Sequence, residues 1–210
     1  MADAAAIASI VSATATLGLA GTTFAAVRSA NTAARTAERS LMAGLRPLLI
    51  PSRGVDPPMK VLWSDSHFIR LDGGRAHVEK ADGVIYLALA IRNAGTGMAV
   101  LDGWYPRCAV FEPSATHADP AAFRRLVIDL YIPPGEPGYW ESAIRGSDDP
   151  AWSDVAGAID ERRAFTIDVL YGDQEGGQRV VSRFIVVPAG EDGWYAQTGR
   201  HWNIDRPDPR

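Results

Sequence analysis

Cysteine is almost absent from this chain, and positive charge is not in excess. The single cysteine, Cys108, excludes an intramolecular disulfide, which is typical of proteins that fold in a reducing compartment. Lys and Arg together number 21 against 25 Asp and Glu, so the net charge at pH 7 is −4. We therefore expect no nucleic acid partner, because proteins that bind nucleic acid carry an excess of basic residues.

Motifs for catalysis and for metal binding are also missing. No serine lies in a Gly-x-Ser-x-Gly elbow, the histidines show no His-x-x-x-His spacing, and there is no second cysteine. The loop Gly95–Gly97 leads towards another strand, which predicts a hairpin turn instead of a phosphate cradle at a helix amino terminus. The acidic pairs Asp148–Asp149 and Asp160–Glu161 are predicted to cap a helix and to lie on its solvated face. We predict a non-enzymatic chain with no catalytic residues, no cofactor and no metal.

One group of side chains leaves an alternative to that prediction. Residues 67–71 and 75–79 predict a hairpin across the turn Asp72–Gly74. If this hairpin pairs Leu71 with Arg75, then His67, His77 and Glu79 lie on one face. The pattern favours a solvated polar face, and a cluster of two histidines and one glutamate is the alternative.

Charge is missing altogether from Ala4 to Val27. About 24 uncharged residues can cross a hydrocarbon core of roughly 30 Å as a helix. The strongly apolar members contribute roughly −2 to −4 kcal/mol to insertion, and small residues such as Gly18 and Gly21 let a second helix approach closely. We predict a transmembrane helix over about residues 4–27, and the alternative is an Ala-rich helix buried in a soluble oligomer. The predicted anchor residues are Ile7, Ile10, Val11, Leu17, Gly18, Leu19, Gly21, Phe24 and Val27.

Arginines follow this segment, and they predict its orientation. Arg28, Arg35 and Arg39 lie on its carboxyl side, whereas its amino side carries Asp3 and no basic residue. The positive-inside rule then places the main domain in the cytoplasm of a single-pass protein of the cell membrane. Residues of about 29–45 are predicted to continue as a juxtamembrane helix, so that residues 1–46 form one unit.

Short strands with turn residues between them follow in residues 47–204. Val84–Arg92 alternates Ile and Leu with Tyr and Ala, which predicts a central strand with two apolar faces. Residues 164–171 and 179–187 predict a hairpin, and residues 150–162 predict one short helix. The prediction is a mainly β chain, in which a long N-terminal helix precedes an antiparallel immunoglobulin-like β-sandwich and a disordered tail, residues 205–210.

The order of these features invites a comparison with known proteins. The uncharged helix, the Ala/Arg stalk, the strand and turn Ile91–Ala99 and the late turn Tyr171–Asp173 resemble small uncharacterised bacterial membrane-anchored proteins with an immunoglobulin-like domain. The resemblance implies architecture only, because that group supplies no catalytic residues. The Cys-Trp-Cys core of true immunoglobulin domains is absent.

Aromatic residues are the last feature of the sequence that bears on function. The six tryptophans lie mostly at predicted strand ends or in loops, where aromatic side chains favour a binding surface. Candidates for this surface are Trp104, Trp140, Trp152 and Trp194. The alternative is that the tryptophans close the ends of the sandwich as part of its core.

Together these observations predict a non-enzymatic protein-interaction module at the cytoplasmic membrane face. Its expected partners are membrane lipid, an unknown protein and a second copy of the chain bound through the N-terminal helix. One alternative is an extracytoplasmic sandwich that binds a carbohydrate or another small molecule. A second alternative is a soluble structural subunit that assembles through its Ala-rich helix.

Overall fold

The structure is a computed structural model that describes residues 2–107, 116–191 and 193–206. Side chains are described from residue 18 onward within these ranges, with the exception of residue 43. The chain divides into two compact units, Met1–Ala43 and Gly44–Arg210.

A single helix, α1 (Ala2–Gly44), makes up the first unit. Alanine favours helix throughout, and no proline occurs before Pro47. Threonine hydroxyls donate to carbonyls one turn earlier, as in Thr23 Oγ1 to the Leu19 oxygen at 2.8 Å, which satisfies a polar group without a partner from another element. Within the part of the chain whose side chains are described, no helical stretch has the length and hydrophobicity that crossing a bilayer requires.

The second unit is built from strands and one short helix. Its strands are β1 (Leu49–Pro51), β2 (Met59–Leu62), β3 (Phe68–Leu71), β4 (Arg75–Ala81), β5 (Val84–Asn93), β6 (Ala99–Arg107), β7 (Arg124–Ile132), β8 (Pro137–Arg145), β9 (Phe165–Gly172), β10 (Val180–Ala189) and β11 (Gly193–Asn203). Its helix is α2 (Trp152–Asp160), and a 3₁₀ turn covers Pro120–Ala122.

Nine of these strands form one antiparallel sheet, and β2 and β3 pair with each other in a second. From β5 the order in the large sheet runs β4, β11, β10, β9, β6 and β7, while β8 and β1 also pair with β5. The sheet curls, so that β7 and β8 contact each other. The mainly β class, the N-terminal helix and the single short helix are confirmed, whereas the immunoglobulin-like arrangement of the strands stays a prediction.

Strand β5 has the central position that its two apolar faces predict. It pairs with β8 along one edge and with β4 and β1 along the other. Ile85 and Leu87 belong to the main core inside the curled sheet, whereas Tyr86 and Ala88 pack beneath Val61 of the β2–β3 sheet. Each face of β5 is therefore covered by a different layer, which explains why its sequence is apolar throughout.

The predicted hairpin between β3 and β4 is wrong. Strand β3 pairs with β2, and β4 pairs with β5 and β11. The turn between them packs against an earlier loop, where a Cβ on Gly73 would lie 2.1 Å from the Arg53 carbonyl oxygen and where Ser52 Oγ accepts from the Gly74 amide at 2.9 Å. This contact directs β3 away from β4, so that β3 lies over the main sheet instead of within it.

The loop Gly95–Gly97 is a packing element. A Cβ on Gly97 would lie 1.7 Å from the Leu45 carbonyl oxygen, and its amide donates to the Arg46 oxygen at 3.3 Å. The Asn93 amide bonds the same loop, because its Nδ2 donates to the Gly97 oxygen at 2.6 Å. The loop thus holds the segment that leads into β1. It leads into another strand, as predicted, but the predicted hairpin turn is wrong, because β5 pairs with β1, β4 and β8 while β6 pairs with β7 and β9.

Candidate functional site

Two histidines and a glutamate converge where the β2–β3 sheet lies over the main sheet. The Nε2 atoms of His67 and His77 each lie 3.0 Å from the same oxygen, Glu79 Oε2. Their side chains are 27%, 25% and 37% exposed, in the order His67, His77 and Glu79. The cluster that the sequence offered as an alternative is therefore present. It forms between two layers, because His67 precedes β3 while His77 and Glu79 share one face of β4.

Aromatic rings surround this His–Glu cluster. His67 stacks on Tyr86 with ring centroids 4.0 Å apart and planes 17° apart. The Trp63 ring lies 5.4 Å from the His67 ring and 6.0 Å from the His77 ring. Burial lowers the pKa of His77, although the hydrogen bond to Glu79 opposes this. The rings restrict how the imidazoles can turn.

A charged pair adjoins the cluster. Arg145 Nη1 donates to Asp65 Oδ2 at 2.6 Å, and the Tyr86 hydroxyl donates to the same oxygen at 2.8 Å. The hydrogen bond from Arg145 lowers the pKa of Asp65 to about 2. Asp65 is therefore an ionised acceptor that holds Tyr86, and with it the ring on which His67 stacks.

Glu141 on β8 is a third carboxyl group of this region, after Glu79 and Asp65. It lines a cavity of about 240 Å³ together with Leu62, Trp63 and Arg145, among others. Burial raises the pKa of Glu141 to about 7, and the Arg145 charge opposes this. An acid with such a pKa can exchange a proton near neutral pH. The same surroundings thus keep Asp65 charged and allow Glu141 to be neutral.

A serine–histidine contact elsewhere in the domain has a structural role. Ser182 Oγ lies 2.6 Å from His201 Nδ1 and 2.7 Å from the Tyr171 hydroxyl, which accepts from the Leu49 amide at 3.0 Å. Ser182 is 0% exposed, so no substrate reaches its hydroxyl. The chain of hydrogen bonds attaches β1 to β9, β10 and β11.

The acidic pairs considered for acid–base chemistry serve structural roles as well. Asp149 accepts two hydrogen bonds from Arg124 and one from the amide of Ala151, just before α2. The other two carboxylates pair with basic side chains: Asp160 with Lys80, and Glu161 with Arg163. Asp160 and Glu161 are exposed, as predicted. The predicted cap is wrong, because the N-cap residue of α2 is Ala151, which makes no side-chain capping hydrogen bond, and Asp149 accepts from the amide of that residue instead.

The predicted tryptophan surface is corrected by the structure. Trp104, Trp140 and Trp194 are 2%, 0% and 4% exposed and belong to the main core, and Trp152 is partly buried against it. The Trp104 and Trp140 rings meet edge to face at 5.3 Å. Rings of this size fill the interior of a curled sheet, so they offer no surface to a partner.

The predicted anchor residues fall in two groups. Ile7, Ile10, Val11 and Leu17 lie outside the residues whose side chains are described. The others, Gly18, Leu19, Gly21, Phe24 and Val27, are exposed, as are the topology residues Arg28, Arg35 and Arg39. Cys108 also lies outside the described residues.

Sequence reasoning missed several polar residues around the His–Glu cluster. No motif in the sequence points to Asp65, and the alternation in β5 predicts only that Tyr86 lies on an apolar face. Glu141 and Arg145 match no motif either, although a glutamate that directly follows Tyr139 and Trp140 is a signal of a buried acid. These residues meet only because the β2–β3 sheet folds over β5 and β8.

No protein-family model, no curated protein and no solved structure matches this chain.

Proposed function

We propose that this chain is a non-enzymatic, single-pass membrane protein whose N-terminal helix anchors a protein-binding β-domain. The observation that carries the proposal is the exposure of apolar side chains on α1. Leu19, Phe24 and Val27 are 70%, 71% and 54% exposed. Apolar surface of this kind gains about 25 cal/mol per Å² when it leaves water, so it favours an apolar environment.

We propose lipid as this environment because the apolar residues lie in an uncharged segment that ends where the arginines start. The exposed apolar residues belong to the segment Ala4–Val27, which carries no charge, and arginines start immediately afterwards at Arg28. The arginines after the segment support a cytoplasmic position for the β-domain. An immunoglobulin-like arrangement of the curled sheet, and kinship with membrane-anchored bacterial proteins of that kind, are part of the proposal.

A surface on the β-domain supports the protein-binding part. Leu62, Val127 and Ile128 are 50%, 83% and 43% exposed, and they line the same cavity as Glu141 and Arg145. Apolar side chains rimmed by charged groups are typical of protein interfaces. This surface replaces the tryptophans as the proposed docking site.

Membrane partition of paired leucine variants tests the anchor. Arginine costs about 2.5–3.5 kcal/mol at the centre of a membrane helix, so Leu19→Arg removes most or all of the roughly −2 to −4 kcal/mol that favours insertion. We expect the full-length wild-type chain to stay with membranes after alkaline carbonate extraction and Leu19→Arg to be released. Leu41→Arg is the matched control, because Leu41 is 65% exposed on the same helix but lies after the arginines, and it should stay with membranes.

Two results would contradict the proposal. Recovery of the wild-type chain without detergent, as a soluble oligomer, would favour the structural subunit. Protection of the β-domain from protease in inside-out vesicles would place it on the other side of the membrane, as the extracytoplasmic ligand-binding alternative requires.

A further inference from the structure

We propose that His67, His77 and Glu79 form a binding site for a divalent transition-metal ion, with Zn²⁺ as the ion that fits the ligands best. The site lies in the β-domain and is independent of the proposed membrane anchor.

The positions of the ligand atoms suit a metal ion after a small adjustment. Zinc binds imidazole nitrogen and carboxylate oxygen at about 2.0–2.2 Å, so neighbouring ligand atoms of a tetrahedral site lie about 3.3–3.5 Å apart. Here Glu79 Oε2 is 3.0 Å from each Nε2, and all three ligand atoms lie within 4.8 Å of one another. A relative movement of the ligand atoms by at most about 1.5 Å therefore completes the site.

The types of ligand select the class of metal. Two imidazoles and one carboxylate favour zinc and related transition metals, whereas Mg²⁺ and Ca²⁺ prefer oxygen ligands alone. All three side chains keep a quarter or more of their surface exposed. Solvent can therefore supply a water molecule as the fourth ligand, as at zinc sites with three protein ligands.

Residues behind His67 fix the orientation of its imidazole ring. His67 stacks on Tyr86 at 4.0 Å, and the Tyr86 hydroxyl donates to Asp65 at 2.8 Å. Asp65 is held in turn by Arg145 at 2.6 Å. Neighbours that fix the orientation of a ligating histidine raise metal affinity, because less freedom is lost on binding.

The hydrogen bonds of the cluster show what a metal would replace. Among the described residues, the hydrogen-bond partners of the Glu79 carboxylate are His67 and His77. A carboxylate oxygen accepts hydrogen bonds, so each Nε2 that contacts it acts as the donor when no metal is bound. On metal binding each Nε2 must instead offer its lone pair to the ion, and the hydrogen that it carried passes to Nδ1 or to solvent.

Metal binding would connect two layers that, within the described ranges, no strand pairing joins. The β2–β3 sheet is held over β5 by a small apolar cluster that includes Val61, Trp63 and Tyr86. His67 belongs to the β2–β3 layer, and His77 and Glu79 belong to the main sheet. An ion bound to all three fixes one layer to the other, and it stabilises the folded domain because the unfolded chain does not hold the ligands together.

Calorimetric titration with Zn²⁺ tests the site. The full chain is purified in detergent without a histidine tag, treated with a chelator and titrated with Zn²⁺ alone. We expect one ion per chain and a melting temperature that rises with Zn²⁺ concentration. His67→Gln, His77→Gln and Glu79→Gln should each weaken binding about 100-fold, since loss of a direct ligand costs at least as much as loss of its neighbours.

Matched controls separate the site from weak surface binding. His117→Gln and Glu136→Gln remove a histidine and a glutamate elsewhere in the domain and should leave affinity unchanged. If a ligand variant fails to fold, the wild-type chain still decides the question, because bound Co²⁺ must give the strong visible absorption of a four-coordinate ion and must be displaced by Zn²⁺.

Three results would overturn the proposal: no stoichiometric binding, a weak octahedral Co²⁺ spectrum, or equal loss of affinity in the control variants. The Leu19→Arg variant keeps the two proposals apart. It should bind Zn²⁺ as tightly as the wild-type chain, whether or not the helix partitions into membranes.

Discussion

The ion pair between Asp168 and Arg183 gives the sharpest prediction about the stability of the β-domain. Arg183 Nε donates to Asp168 Oδ1 at 2.6 Å and Nη2 donates to Oδ2 at 2.7 Å, so the pair is bidentate. The two side chains are 4% and 0% exposed, and the Trp202 ring lies 4.7 Å from the guanidinium. Asp168→Asn keeps the shape of the side chain but leaves a buried positive charge without its counter-ion.

The cost of this change follows from burial. Removing one partner of a buried ion pair destabilises a protein by about 3–5 kcal/mol, out of a total stability of about 5–15 kcal/mol. For a domain of this size the melting temperature should fall by about 6–20 °C. Replacing both partners by apolar residues, Asp168→Leu with Arg183→Met, should restore much of the loss, because no charge then stays buried.

Urea unfolding followed by tryptophan fluorescence measures the free energy of unfolding. Asp160→Asn is the matched control, since Asp160 pairs with Lys80 at side-chain exposures of 58% and 38%. Exposed pairs contribute about 0–1 kcal/mol, so this control should remain close to the wild type. If Asp168→Asn costs no more than Asp160→Asn, the argument from burial is refuted.

Two further predictions concern Glu141 and the glycines. Burial raises the pKa of Glu141 from 4.5 to about 7, so the folded state holds this proton more tightly than the unfolded state does. The contribution of Glu141 to the free energy of unfolding should therefore be present in full below pH 4.5 and fall by about 1–3 kcal/mol as the pH rises through 7. The difference between the wild-type chain and Glu141→Gln isolates this contribution, and identical pH profiles of the two in urea melts would disprove the assignment. Gly97→Ala should destabilise the domain by about 1–3 kcal/mol or more, because its Cβ would meet the backbone of Leu45. Gly157→Ala in α2, where a Cβ meets nothing within 4 Å, should instead stabilise it by about 0.5–1 kcal/mol in the same melts, and an equal effect at both positions would contradict the argument.

Strand positions were predictable because each strand carries its own pattern. The alternation in β5 depends on which side chains face each layer, and the hairpin of β9 and β10 depends on the turn between them. The separation of β3 from β4 was not predictable in this way. It depends on the contact of Gly73 and Gly74 with residues 52–56, about twenty residues earlier in the chain, and a local turn signal carries no information about such a contact.

The sequence offered the His–Glu cluster only as the alternative to a solvated polar face, and the hairpin on which that alternative depended was wrong. His77 and Glu79 lie two residues apart, so any strand places them on one face. Only the position of His67 depended on the assumed pairing. In the structure the stack on Tyr86 brings His67 to the same oxygen from the layer above. Alternation within β4 therefore fixes two of the three ligands, and packing between layers supplies the third.

The difference between alternation within a strand and packing between layers also explains Asp168. Alternation alone would place this residue on the solvent side of β9. Phe165, Ile167 and Val169 point into the main core, so Asp168 points to the opposite face. That face is covered by Trp202, and Leu170 packs there as well. A charged residue at an outward position is buried once a later strand carries an aromatic ring across it, and its charge then requires a partner. Arg183, directly opposite in the register of β10, supplies that partner.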